Sequence, residues 1–148
     1  MPVAGGAYPE PVKQTAVKIY FDGGCRPNPG RIETAVVVGG RSYVRDDHGQ
    51  GDSHDAEWLA LLDALLVAGD LGLRDVVLLG DSASVVAQAS GRAPRVPARF
   101  DAYRARLADL AAGLDRLRIR HVGRKQNLAG IALERAREWA LERRHGKL

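Results

Sequence analysis

The chain has 148 residues, 45% of them hydrophobic, and a net charge of +4. That is one domain's worth of sequence with enough apolar content for a real core, which excludes global disorder, and no apolar run approaches the roughly 20 residues of a membrane span. Cys25 is the only cysteine, which excludes an intrachain disulfide and a cysteine zinc cluster and fits a reducing, cytoplasmic setting. Charge is unevenly spread: from Gly113 onward ten Lys or Arg face four Asp or Glu. A basic C-terminal region beside a mildly acidic remainder suits a polyanionic partner, although solvated helix faces would give the same balance.

Residues 1–15 are rich in Pro and Gly, carry no basic-then-apolar signal and read as a loose leader. The rest, 16–148, reads as one domain without internal repeats. Val17, Ile19 and Phe21 alternate with Lys18, Tyr20 and Asp22, which predicts a first strand over 17–21. Asp22 to Gly30 (DGGCRPNPG) has too much Gly and Pro for regular structure and reads as a tight loop. Thr34–Val38 and Arg41–Arg45, joined at Gly39-Gly40, form a hairpin. Asp52 or Ser53 caps a helix running to about Ala68. Val76–Leu79 is an unbroken apolar run, as in a strand buried on both faces. A short helix over 82–89, a helix over 98–114, a fifth strand over 118–122 and a last helix over 126–144 complete the chain. The order β-β-β-α-β-α-α-β-α implies an α/β domain: a mixed five-stranded sheet, with an antiparallel meander of three strands, the fourth and fifth strands parallel to the first, and helices on its faces.

Three acids sit where chemistry would want them. Asp22 ends the first strand, Asp81 follows the buried run at the carboxyl end of its strand, and Glu57 lies in the first turn of a helix on the face of Leu61, Ala64, Leu65 and Ala68. A carboxylate on an apolar face is costly, and three together repel unless cations neutralise them. Hard oxygen ligands favour magnesium or manganese. Each acid taken alone has a plainer role: Asp22 as a turn residue, Glu57 as a first-turn acid and Asp81 as a helix cap.

The segments IYFDGGCRPNPG, AEWLALLDAL and VVLLGDSASVV, in that order and spacing, resemble type I ribonuclease H over Val17 to about Trp139. The resemblance implies the RNase H-like fold. It also implies an endonuclease that hydrolyses the RNA strand of RNA–DNA hybrids using two divalent ions, with Asp22, Glu57 and Asp81 as catalytic metal ligands. By position Cys25 and Asn28 match minor-groove contacts to the hybrid, and Ser53 and His54, with Ser82 beside Asp81, are further nucleic-acid candidates. Arg124 and Lys125 occupy the loop before the last helix, where many members carry a mobile His, and are expected to meet phosphate. His121, inside a strand, is expected to be structural. Only Arg92, Arg95 and Arg99 could stand in for the basic helical handle of some members, and no hybrid-binding domain is expected before Val17.

The family's fourth Asp, four residues after an Asn, falls on Ile131. Ile131 reads as core together with Leu128, Ala132, Ala136 and Trp139. Asn127, one turn back on nearly the same face, is the expected fourth ligand through its amide oxygen, unless it only caps the last helix. A monomer with no membrane attachment and no obligate protein partner is expected. The rival reading is a degenerate module that binds hybrid or structured RNA without cutting; Ile131 favours it, and the three retained acids oppose it.

Overall fold

The computed structural model describes residues 15–144; nearly all of the expected leader, 1–15, lies outside them. Six strands and four helices follow the order β1 (Val17–Cys25), β2 (Gly30–Val38), β3 (Arg41–Arg45), β4 (Gln50–Gly51), α1 (Ser53–Asp70), β5 (Asp75–Gly80), α2 (Ala83–Ala89), α3 (Asp101–Ala111), β6 (Arg116–His121) and α4 (Leu128–Arg144). The main sheet runs β3-β2-β1-β5-β6, with β1–β3 antiparallel and β5 and β6 parallel to β1. This is the expected mixed sheet of five strands, plus one two-residue strand, β4, that pairs with the start of β2. No helix among the described residues is long and apolar enough to cross a membrane.

Strand alternation sorts the side chains onto two faces. Ile19 and Phe21 of β1, Val36 and Val38 of β2 and Val76 and Leu78 of β5 meet Trp58, Leu61, Leu65, Val85 and Phe100 in the larger core, under α1 to α3. Ala35 and Val37 point the other way and meet Ala129 and Leu133 of α4 in a smaller core, joined by Tyr20 and Ala132. The helices thus cover both faces, α4 alone on one of them.

β1 does not stop at Asp22. The expected loop is strand as far as Cys25, which pairs with Ile32, while Gly23 and Gly24 pair with Thr34 and Glu33. Two glycines in sequence read as a turn, but here they serve a close approach. A Cβ on Gly23 would run into the carbonyl oxygen of Ala56 in α1, so a glycine there lets the helix start lie directly on the strand.

α1 begins with a capping box. The Asp52 carboxylate accepts from the N–H groups of His54 and Asp55, and Asp55 accepts from the Asp52 N–H, satisfying donors that a helix start leaves open. Arg99 pairs with Asp52 at 2.9 Å and Asp55 at 3.3 Å, and the Tyr103 hydroxyl donates to Asp55 at 3.0 Å. Arg99 thus braces the start of α1 while its side chain remains 48% exposed. Further along α1, the buried Asp63 accepts from Thr34 of β2 at 2.7 Å and Arg45 of β3 at 2.9 Å, and lies 2.7 Å from the His48 ring nitrogen. One carboxylate thus ties the helix to two strands and a loop.

The last helix corrects a second expectation. It starts at Leu128, after a 3₁₀ turn over Arg124–Gln126. Its packed stripe runs through Ala129, Ala132, Leu133 and Ala136, whereas Leu128, Ile131 and Trp139 are 45%, 44% and 53% exposed. Ala132 and Ala136 of the expected stripe do face the sheet, but its three large apolar members look outward, and Ala129 and Leu133 make the close contact instead.

Candidate active site

Asp22 leaves β1 on the α4 face, Asp81 follows the last residue of β5, and Glu57 comes from α1 just past its first turn, where the acid is Asp55. One carboxylate oxygen from each lies within 4.8 Å of the other two. The geometry follows from the strands: β1 and β5 are adjacent and parallel, so Asp22 and Asp81 project from neighbouring positions, and the bare Gly23 admits the helix carrying Glu57. The Gly23 N–H donates to Glu57 Oε1.

The electrostatics are those of a site that wants cations. Asp22 is 8% and Glu57 7% exposed. Burial pushes the Glu57 carboxyl up to about 9, reinforced by the neighbouring Asp22 charge, and burial likewise raises Asp22. With both carboxyls ionised, Glu57 Oε2 is buried with no hydrogen-bond partner, a costly condition, relieved without a cation only by a proton shared with Asp22. A clustered, all-oxygen, net-negative donor set with one orphaned oxygen fits a hard divalent ion. Two arginines stand beside it: Arg124, 86% exposed, reaches to 3.8 Å from Asp81, and Arg137, 12% exposed and paired with Glu33, acts on Asp22 from α4.

Asn127 is fully buried beside the cluster. Its Nδ2 donates to the Phe21 carbonyl and to Asp81 Oδ2, each at 2.9 Å, and its Oδ1 accepts from the Ala129 N–H at 3.1 Å. The backbone partners leave no freedom in this assignment, since a carbonyl accepts only from the nitrogen and an N–H donates only to the oxygen. The oxygen expected to bind metal is engaged as the cap of α4, and the amide nitrogen faces Asp81. Asn127 holds an acid in place; this geometry does not agree with a ligand role.

A cleft of about 600 Å³ opens over Asp22 and Asp81, walled by these and Gly24, Cys25, Ser53 and Arg124 on one side and by Gly130, Ile131, Glu134 and Arg137 of α4 on the other. Of the candidate nucleic-acid contacts, Cys25, Ser53 and Arg124 thus line it. Asn28, His54, Ser82 and Lys125 are not among its wall residues. Asn28 Oδ1 accepts from the Ser53 N–H at 3.1 Å, tying the 26–29 turn to the start of α1, and Cys25 Sγ donates to the Gly51 carbonyl at 3.3 Å. Ser82 caps α2 through Val85 N–H, the His54 ring lies 6.4 Å from Phe100, and exposed His121 sets a ring nitrogen 3.2 Å from the Asp81 carbonyl. Sequence reasoning missed the α4 wall. Its signal was spacing: Glu134 stands four residues beyond Gly130 and Arg137 three beyond Glu134, all on one side of a helix.

The family model described as "Reverse transcriptase-like" matches residues 32–135. A curated Ribonuclease HI from Halobacterium salinarum is 34% identical over 129 residues, covering 84% of this chain and 65% of that relative's length. The chain belongs to the ribonuclease H family. Among solved structures of that family, the RNase H1 of Halobacterium salinarum superposes with a TM-score of 0.73 at 33% identity, covering 80% of this chain and 94% of that one. LC11-RNase H1, solved in complex with RNA/DNA hybrid, gives 0.73 at 27% identity, covering 84% and 99%. The N-terminal RNase H domain of a Mycobacterium tuberculosis protein gives 0.68 at 28%, covering 86% and 99%. The ribonuclease H fold is therefore this chain's fold.

Proposed function

We propose that this chain is an endoribonuclease that hydrolyses the RNA strand of RNA–DNA hybrids with divalent cations, magnesium or manganese, at Asp22, Glu57 and Asp81. The observation that carries the reading is the three-acid cluster with its buried, partnerless Glu57 oxygen. Its relationship to ribonuclease HI and the hybrid bound by LC11-RNase H1 supply the substrate class.

Two divalent ions held by such carboxylates supply Lewis acidity at the phosphate and a nucleophile at neutral pH. The protein's own residues do the rest. Asp22, Glu57 and Asp81, with an oxygen of each within 4.8 Å of the others, would hold the ions. Glu57 approaches from the helix side with one oxygen fixed by the Gly23 N–H and the other free. Asn127 fixes the rotamer of Asp81 through its amide. Arg124 and Lys125, exposed after β6, are suited to phosphate. Cys25 and Ser53, small and polar at the cleft wall, are suited to the 2′-hydroxyls displayed in a hybrid's shallow minor groove, and Asn28 acts by shaping the turn between them. A single-chain enzyme in a reducing, cytoplasmic setting fits this reading.

The test is incubation of the purified chain with a hybrid, double-stranded RNA and double-stranded DNA of one sequence, each end-labelled, in magnesium, manganese or chelator. The expected result is cleavage of the RNA strand of the hybrid alone, and only with metal. Hybrid retention without cleavage under every metal condition would instead establish the binding-module reading.

A further inference from the structure

The cleft carries a fourth carboxylate that neither the expected position, Ile131, nor Asn127 provides. We propose that Glu134 of α4 is a ligand of the divalent cation beside Asp22, swinging onto it from its resting contact with Arg137. The inference rests on the cation site proposed above.

α4 passes Asp22 at Gly130: a Cβ built there would lie 3.5 Å from Asp22 Oδ2. Glu134 is four residues on, hence on the same helix face one turn away. Helical side chains lean toward the N-terminus and lie over the preceding turn, so Glu134 leans over position 130, toward Asp22. Because residue 130 is glycine, no side chain blocks that path. Glu134 already lines the cleft with Asp22 and Asp81. In the same cluster as Asp22, Glu57 keeps a buried oxygen without a partner, a donor left for a cation.

In the structure the Glu134 carboxylate rests on Arg137 Nη1 at 3.0 Å, outside the three-acid cluster. That tether is weak, since the Glu134 side chain is 64% exposed and such pairs are screened by water. Releasing it strands nothing, because Arg137, only 12% exposed, keeps its 2.9 Å contact with Glu33. Glu138 also borders the cleft but stands a further turn from Asp22, about 6 Å more along the axis.

The experiment is manganese binding to the full chain without nucleic acid, by calorimetry and by loss of the free-ion paramagnetic signal, for wild type, Glu134→Gln, Glu134→Asp and Asp22→Asn, with melts in chelator. Glu134→Gln should weaken manganese binding by about tenfold while melting like wild type. Glu134→Asp keeps the charge but is one methylene short, so it should resemble the Gln variant. The metal concentration for half-maximal hybrid cleavage should move in parallel. Wild-type binding by Glu134→Gln overturns the proposal, as does wild-type binding by Glu134→Asp, which would reduce the effect to nearby charge. Unchanged binding by Asp22→Asn would refute the cation site itself, so the two failures are separable.

Discussion

Replacing Asn127 by Ala separates a positioning role from a ligand role by magnitude. The side chain is fully buried and makes three hydrogen bonds. Losing the helix cap costs about 1 kcal/mol. Leaving the buried Phe21 carbonyl without its donor costs about 1–3 kcal/mol more, and Asp81 loses a charge-assisted bond. The total is about 3–5 kcal/mol, which for a domain of this size lowers the melting temperature by about 10–15 °C. A metal ligand on a helix cap would instead lose activity with only about 1 kcal/mol of stability. Asn127→Asp sharpens the contrast: it keeps the cap but turns a carboxylate oxygen onto the Phe21 carbonyl and Asp81, so in chelator it should melt at least as low as Asn127→Ala. The assay is thermal melting by circular dichroism in chelator and in magnesium, alongside hybrid cleavage below the transition. An Asn127→Ala variant that melts within about 2 °C of wild type yet fails to cut would refute the reasoning.

Asp22→Asn, Glu57→Gln and Asp81→Asn should each abolish hybrid cleavage in saturating magnesium while keeping wild-type circular dichroism; wild-type rates from any one removes that residue from the site. Glu57 offers a pH test: its folded carboxyl is pushed up to about 9 against an ordinary 4.5, so between those values the folded state holds a proton that the unfolded state has released, and stability falls as pH rises. In chelator, Glu57→Gln should therefore gain stability over wild type on going from pH 5 to pH 9, and magnesium should narrow the gap; melts across pH check both. Asp63→Ala removes a buried carboxylate that serves Thr34, Arg45 and His48, and should cost about 3–5 kcal/mol in urea unfolding without touching the cleft. Gly23→Ala, whose Cβ would collide with Ala56, should lift α1 off β1, and both stability and cleavage should fall.

Much of this architecture is legible in residue periodicity. The alternation at Val17–Phe21, the apolar run Val76–Leu79 and the capping residues before α1 define elements that recur in the fold, because each is a local pattern with one good way to bury itself. Where a local pattern has two physical solutions, sequence misleads. Gly23-Gly24 suits a turn or a strand under a closely packed helix, and only the position of Ala56 decides. Leu128, Ile131 and Trp139 outweigh Ala129, Ala132 and Ala136 in apolar content, yet the alanines face the sheet because they let α4 come close. The three acids could be read together because each falls at or near the point where a local pattern changes, although β1 in fact runs on past Asp22 to Cys25. The direction of the Asn127 amide could not, because it depends on the Phe21 carbonyl, 106 residues away in sequence. Glu134 was hidden by the same error of helix phase that placed Ile131 inside.

The central claim, that three clustered carboxylates form a cation site used to cut RNA, is tested most directly by one comparison: rate of RNA-strand cleavage in an end-labelled hybrid against magnesium concentration, for wild type and Asp22→Asn under single-turnover conditions. The account predicts no cleavage in chelator, a saturable rise with magnesium for wild type, and no cleavage by Asp22→Asn at any magnesium concentration although it retains the fold. Cleavage by wild type in chelator, or a magnesium-dependent curve for Asp22→Asn that matches wild type, would contradict it.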